Sequence, residues 1–413
     1  GEAQRIRLAT QVGSKLMGVL YVLDEPSIGL HPRDTRRLLD TLEGLRDMGN
    51  TVLVVEHDEQ LMRAADHVID LGPGRGSGGG EVVFQGPPAR LERDRRSLTA
   101  AYLRGDREVP VPAGRRRIDR ARALCVRGAR QNNLKGIDLD VPLGALVCFT
   151  GVSGSGKSTL VREVLFKNLL RARGQAVEEP GDADSVGGEG LVGQVVMVDQ
   201  SPLTRTPRSN PLLYTGAYDH VRELFATTEE ARRQGLNASA FSFNAGAGRC
   251  ERCKGMGFEK VEMQFLTDLF VRCPECEGRR FQAHVLAVRY GGRSVGEILG
   301  MTVEEGVAFF RDRASAAETP REAGNAGAVA GGLALLAEVG LGYLTLGQPL
   351  NQLSGGESQR TKLVGHLAES RRPKGRKVSA GAERRGDLLI LDEPTTGLHF
   401  DDVRALMAVL QRL

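Results

Sequence analysis

Tryptophan is absent from the 413 residues, and aromatic side chains of all kinds make up only 5%. The apolar 40% is therefore mainly aliphatic, yet it is ample for two or more domains with real cores. No apolar run approaches the ~18 residues of a membrane span, and no signal peptide is visible. Both absences point to a cytoplasmic chain with no membrane partner. Cysteine is scarce at six, and four of the six fall in paired C-x-x-C motifs, a pattern that favours metal over disulfides. A strong excess of one charge is lacking as well, since Lys+Arg 56 against Asp+Glu 52 leaves +4. Arginine nevertheless outnumbers lysine and clusters locally, which suits phosphate contacts. The chain has no initiating methionine; it opens Gly1-Glu2-Ala3-Gln4 in mid-motif and reads as a fragment.

What is present centres on Val147-Cys148-Phe149-Thr150-Gly151-Val152-Ser153-Gly154-Ser155-Gly156-Lys157-Ser158-Thr159. Gly151 to Ser158 fits the phosphate-binding pattern G-x-x-x-x-G-K-[ST]. The pattern predicts a short apolar strand, a glycine-rich turn and a helix. Gly151, Gly154 and Gly156 let the backbone aim its N–H groups at phosphate oxygens, and the helix adds the positive end of its dipole. Lys157 can reach the β and γ phosphates, and Ser158 can hold Mg²⁺.

An internal repeat supplies the rest of an ATPase. Gly356-Glu357-Ser358-Gln359-Arg360 repeats Gly1-Glu2-Ala3-Gln4-Arg5, and Leu391-Asp392-Glu393-Pro394 repeats Leu23-Asp24-Glu25-Pro26. In each copy a buried strand ends on two carboxylates, an Mg²⁺-coordinating Asp24 or Asp392 and a water-activating Glu25 or Glu393. His57, at the end of an expected strand over Thr51 to Asp58, reads as a γ-phosphate sensor, or as a satisfied structural histidine. Leu353-Ser354-Gly355-Gly356-Glu357 is the L-S-G-G-[EQ] signature of ATP-binding-cassette proteins, with Ser354 and the glycines at a helix N-terminus. Gln200 ends the strand Val195 to Val198, where it can touch both Mg²⁺ and the attacking water.

Between Ser158 and Leu353 the chain is too long for a plain cassette, so a further domain is inserted. Inside it Cys250, Cys253, Cys273 and Cys276 stand as C-x₂-C-x₁₉-C-x₂-C, the spacing of two knuckles around one Zn²⁺. A redox pair or buried free thiols are the alternatives. Cys125 and Cys148 lack such partners and read as small buried hydrophobes. Arg205 and Arg208, in a basic, proline-stiffened stretch, with Arg222, Arg232 and Arg233 beyond them, suit sequence-independent contacts to DNA phosphates, or simply a solvated surface.

The double cassette, the knuckles and the strings Gln200-Ser-Pro-Leu-Thr-Arg-Thr-Pro-Arg-Ser-Asn-Pro211, Phe241-Ser-Phe-Asn244 and Val261-Glu-Met-Gln-Phe265 closely resemble the UvrA family of bacterial nucleotide excision repair ATPases. The resemblance implies an α/β fold of the P-loop, ATP-binding-cassette type: two modules, the first partial, with an inserted zinc-binding α+β domain. It implies a homodimer that recognises distortion in damaged duplex DNA with little sequence preference and loads UvrB, each ATP lying between the phosphate loop of one module and the signature of the other. The UvrB-binding region of the family is expected upstream of Gly1, outside this chain. The loop Arg371 to Gly386 leans toward UvrA-like paralogues, some linked to drug tolerance. A transporter subunit and a soluble cassette protein acting on ribosomes are the rivals from other classes.

The expected division is 1–86 for the end of the first cassette, 87–122 for a linker, 123–165 for the start of the second, 166–350 for the insertion and 351–413 for the second signature and carboxylate strand. Taken alone, the chain is expected to bind ATP weakly and hydrolyse it slowly. The first module shows no phosphate loop, and the second module's counterpart of His57 would fall beyond Leu413.

Overall fold

The computed structural model describes residues 16–74, 76–204, 206–263, 269–371 and 385–413. Expected features that fall elsewhere are the Gly1 to Arg5 repeat, Arg205, the end of the string through Phe265 and most of the Arg371 to Gly386 loop; these lie outside the described residues. The chain forms two compact units, one of 1–199 with 375–413 and one of 200–374.

In the first unit, the strand Leu20–Asp24 pairs in parallel with Thr51–Val55. The connecting helix Pro32–Asp47 places Leu38, Leu39, Leu42 and Leu45 on one stripe, buried with Tyr21, Leu23 and Leu61. The Val68–Gly72 and Glu81–Gly86 strands follow as an antiparallel pair. Residues expected to begin a linker at 87 are folded instead: the short helices Pro88–Leu91 and Leu98–Leu103 bury Leu91 and Ala100 against Phe84. Enough apolar side chains punctuate the arginines there to close a small core.

The second module opens with an antiparallel sheet in which Ala123–Ala129 lies between Ile137–Pro142 and Ser185–Gly187. Residues Thr159–Phe166 form a π-helix that continues as the α-helix Lys167–Ala172. Val164, Leu165 and Leu169 lock this helix onto Leu124, Val126 and Val141, and so seat the phosphate loop that precedes it. The Val195–Val198 strand pairs in parallel with Leu388–Leu391. The expected strand over 147–150 carries no assigned strand pairing.

These pairings also move the expected boundaries. Residues 166–199 fold with the phosphate loop, through Ser185–Gly187 and Val195–Val198, while 351–371 fold with the inserted stretch.

In the second unit the helix Pro320–Glu338 packs against both Val303–Ser315 and Ala217–Ala226, and the strands Phe258–Val261 and Leu269–Arg272 form an antiparallel pair. Capping boxes start several of its helices, among them those at Ser294 with Glu297 and at Thr302 with Glu305. Its core concentrates the scarce aromatics: Phe225, Phe241, Phe243, Phe281 and Phe310 are all fully buried. The Phe225 ring lies 5.2 Å from Phe241, and Tyr218 lies 4.9 Å from Phe243. Phe225→Ala is expected to destabilise this unit by about 3–5 kcal/mol, read as an earlier denaturant midpoint. An unchanged midpoint would show that this ring is not part of the core that holds the unit together.

Candidate functional site

The phosphate loop has the backbone its glycines permit. The φ angle is +149° at Gly151, +75° at Gly154 and +98° at Gly156. A Cβ at Gly156 would stand 2.9 Å from both Asn133 Oδ1 and Leu134 Cδ2, so no side chain fits there. Asn133 Nδ2 donates to the Gly154 carbonyl at 3.0 Å, and Asn132 Nδ2 lies 3.4 Å from Thr159 Oγ1. Sequence reasoning missed both asparagines, which brace the loop from a turn outside the motif. Lys157 Nζ donates to the carbonyls of Gly151 and Val152, both at 2.9 Å. Its ammonium thus rests on neutral acceptors that charged phosphate oxygens can replace with stronger, charge-assisted bonds. Ser153, Gly154, Ser155 and Ser158 are exposed to solvent.

The repeated carboxylate strands end alike. Glu25 and Glu393 both hold φ at +46°, left-handed backbone that non-glycine residues seldom adopt. Ile28 N–H donates to the Glu25 carbonyl and Thr396 N–H to the Glu393 carbonyl, each at 3.2 Å. One step on, His31 Nδ1 accepts the Arg33 N–H and His399 Nδ1 accepts the Asp401 N–H, again each at 3.2 Å. The two turns meet. A Cβ at Gly397 would lie 2.6 Å from Glu25 Oε2, and one at Gly29 would lie 3.5 Å from Glu393 Oε2. Each module's glutamate therefore faces the glycine of the other module's turn.

His57 Nε2 stands 3.8 Å from Glu25 Oε1. The neighbouring Glu56 carboxylate accepts the Ser27 N–H at 2.8 Å and the His57 N–H at 2.9 Å, tying the two loops together. Burial pushes the Glu25 carboxyl above its ordinary value; His57 opposes this, while Asp24 and Glu56 add to it. A carboxylate so placed has gained affinity for a proton, as a general base needs.

In the second unit, Ser354 and Glu357 close a capping box: Glu357 Oε2 accepts the Ser354 N–H at 2.8 Å and Ser354 Oγ accepts the Glu357 N–H at 3.3 Å. Tyr343 donates its hydroxyl to Glu357. The signature thus starts the helix Gly355–Arg371, and a Cβ at Gly355 would lie 3.2 Å from Gln200 Oε1.

The four cysteines converge. All their Sγ atoms lie within 4.8 Å of one another, with Cys250 to Cys273 at 3.9 Å and Cys253 to Cys276 at 3.7 Å. Zn–S bonds of about 2.3 Å place tetrahedral sulfurs about 3.8 Å apart, so the cluster has the dimensions of a Zn²⁺ centre. The two knuckles repeat one backbone: Lys254 and Glu277 have φ of +52° and +51°, followed by Gly255 at +81° and Gly278 at +85°. Burial pushes the Cys276 thiol up to about 12, whereas at Cys273 burial is outweighed by hydrogen bonds from the backbone, Cys276 and Cys250, which hold the thiol below its ordinary value.

The arginines do not form one free patch. Arg222 pairs with Asp219 and Arg233 with Glu230, each on its own helix. Arg208 Nη1 donates to the Asn244 carbonyl at 3.2 Å, and Arg249 to the same oxygen at 2.7 Å. Arg232 is exposed.

No family model matches the chain. It is 52% identical over 413 residues to UvrABC system protein A of Methanothermobacter thermautotrophicus, covering all of this chain and 40% of that protein. Identity is 52% to UvrABC system protein A of Thermus thermophilus and 49% to that of Staphylococcus aureus (strain COL), in each case over 41% of the relative. The chain thus spans about two-fifths of the length of these relatives. The structure is similar to UvrA2 from Deinococcus radiodurans, with a TM-score of 0.85 at 45% identity, over 99% of this chain and 46% of that one.

Two outcomes follow from the site. Freshly reduced protein should carry about one Zn²⁺ per chain, and Cys273→Ser should lose it while nucleotide binding at Lys157 persists; metal analysis below half an equivalent would exclude the centre. Glu25→Gln should stabilise the protein at neutral pH. The raised carboxyl makes ionised Glu25 a cost that grows as pH rises above 4.5 and vanishes below it, so the difference between variant and parent should fade in acid. A gain of equal size at pH 4 and pH 7 would contradict the assignment.

Proposed function

The chain belongs to the UvrA family along its whole length, and from that premise we propose that it is part of a DNA-damage-recognising ATPase of nucleotide excision repair. The observation that carries the proposal is the crossing of Glu25 with Gly397 and of Glu393 with Gly29 on a chain half identical to UvrABC system protein A. Two hydrolytic carboxylates are thereby each completed by the other module.

In this reading Gly151 to Thr159 receive the phosphates of ATP, and Lys157 exchanges two neutral carbonyl acceptors for phosphate oxygens. The Ser158 hydroxyl and the Asp392 carboxylate, both hard oxygen donors, would hold Mg²⁺, which when bound neutralises charge on the β and γ phosphates. Asp24 takes the matching place in the first module. Glu393 and Glu25 accept the proton of the attacking water, and His57 lies beside Glu25 to address the γ phosphate. Ser354, Gly355, Gly356 and Glu357 offer a helix N-terminus to a γ phosphate, with Gln200 against the first turn of that helix.

The four-cysteine cluster is read as structural zinc, closed by four ligands with no open position for chemistry. Homodimerisation, recognition of distorted duplex DNA and loading of UvrB are proposed for the longer protein whose sequence this chain shares.

Arg205 and Arg208 remain the proposed phosphate contacts. Joint replacement by alanine should weaken intact and damaged duplexes together and reduce the slope of log affinity against log salt by about two. Fluorescence titration across a salt series reads both quantities. Binding indifferent to salt would remove the electrostatic DNA interface from the proposal.

A further inference from the structure

Outside every motif, polar side chains of the first module close around a histidine of the second. Asp70, on the strand Val68–Gly72, accepts Ser97 Oγ at 2.6 Å and Thr99 Oγ1 at 2.9 Å on its two carboxylate oxygens. Thr99 Oγ1 lies 3.2 Å from His399 Nε2, although 300 residues separate them in sequence. On the far side of the ring, Nδ1 accepts the Asp401 N–H. An acceptor at Nδ1 places the proton of the neutral imidazole on Nε2, where it donates to Thr99 Oγ1. The threonine proton is committed to Asp70, so the chain of bonds runs in one direction.

The surroundings enforce that arrangement. Ser97 and Thr99 are 2% and 6% exposed, which keeps competing water away. The Tyr102 ring stacks on Phe400 at 5.4 Å, and its hydroxyl donates to Asp401 Oδ1 at 3.0 Å. Burial holds the His399 imidazole below its ordinary value, against Asp402, Asp70 and Asp401 and with help from His57. The His399 ring in turn meets the His57 ring edge-on, with centroids 6.4 Å apart and planes at 80°.

We infer that Asp70, Ser97 and Thr99 are positioning residues that fix His399, and through it hold the turn at Gly397 and the His57 ring at the Glu25 carboxylate. His399 lies two residues beyond Gly397, so rotation of its ring or withdrawal of its turn would release both the glycine contact and the edge-on support of His57. The inference rests on the hydrolytic reading of Glu25 and His57.

Thr99→Val keeps the side-chain bulk and removes the hydroxyl, whereas Thr99→Ser keeps the hydroxyl; both are compared with the parent in the full-length protein. In steady-state ATP hydrolysis, Thr99→Val should lower kcat about ten- to a hundredfold with KM for ATP little changed, and Thr99→Ser should recover most of the loss. In imidazole NMR of the same proteins, Thr99→Val should shift the His57 ring signals and Thr99→Ser should leave them in place. Unaltered His57 signals or an unaltered kcat in folded Thr99→Val overturn the inference, as does equal loss in both variants. If Thr99→Val does not fold, Asp70→Asn carries the same comparison, with the same outcomes required. A parent protein that fails to hydrolyse ATP sinks the hydrolytic reading, while the NMR comparison still decides whether these residues position His57.

Discussion

The left-handed backbone at Glu25 and Glu393 is the constraint on which the first unit turns. Glu25 follows the strand Leu20–Asp24 directly and Glu393 follows Leu388–Leu391 after Asp392, and at each φ of +46° turns the chain away from the strand. Such a conformation costs about 1–3 kcal/mol for a residue with a Cβ. It persists because its surroundings over-determine it. Glu25 N–H is held by the Val55 carbonyl at 2.9 Å, Ile28 N–H returns to the Glu25 carbonyl, and Glu56 grips the Ser27 and His57 amides. The turn delivers a glycine four residues later to the opposite module, where even a methyl group at Gly397 would press on the Glu25 carboxylate. Strain, glycine contact and capping histidine are consequences of one turn, used twice.

Features whose chemistry is local were legible in the sequence. A phosphate loop must present glycines, a lysine and a hydroxyl within a few residues, and a four-sulfur centre must pair its cysteines in knuckles. The four cysteines converge as their spacing implied, and the loop glycines hold the positive φ that such a turn needs. Carboxylates repeated after apolar strands were legible for the same reason, since the repeat exposes two copies of one turn. What escaped was long-range. Nothing in the sequence near Asp70, Ser97 or Thr99 points to His399, because hydrogen bonds across 300 residues leave no local periodicity. Asn132 and Asn133 escaped because a turn that braces a loop from behind looks like any other turn.

Composition misled in two places. Proline and arginine between 87 and 122 suggested a linker, yet within it Leu91 and Ala100, fully buried, sit on two short helices packed against Phe84. The insertion was expected to begin at 166, but the strands Ser185–Gly187 and Val195–Val198 draw residues through 199 back to the phosphate-loop unit. Strand pairing, which motif spacing does not encode, decides where a domain ends. Arg222 makes the converse point: its charge counted toward a basic surface until Asp219, one helical turn away, proved to be its partner.

The second unit solves a different problem. The aromatic core reaches the knuckles through Phe243, whose ring lies 4.9 Å from Tyr218 and 6.2 Å from Phe281 and whose carbonyl faces Gly255, where no side chain fits. Arg280 lies over the Phe243 ring at 4.9 Å and is only 4% exposed. One guanidinium nitrogen donates to the Gly347 carbonyl at 2.8 Å, while Nη1 has no hydrogen-bond partner among the described residues. Burial lowers the Arg280 pKa; Tyr218, Cys253 and Cys276 oppose the shift. A buried arginine at such a place is costly unless a negative charge lies near. Four thiolates on one Zn²⁺ carry a net charge of about −2. The guanidinium is therefore better matched to a metal-filled cluster than to four neutral thiols, which supports the zinc reading of the four cysteines.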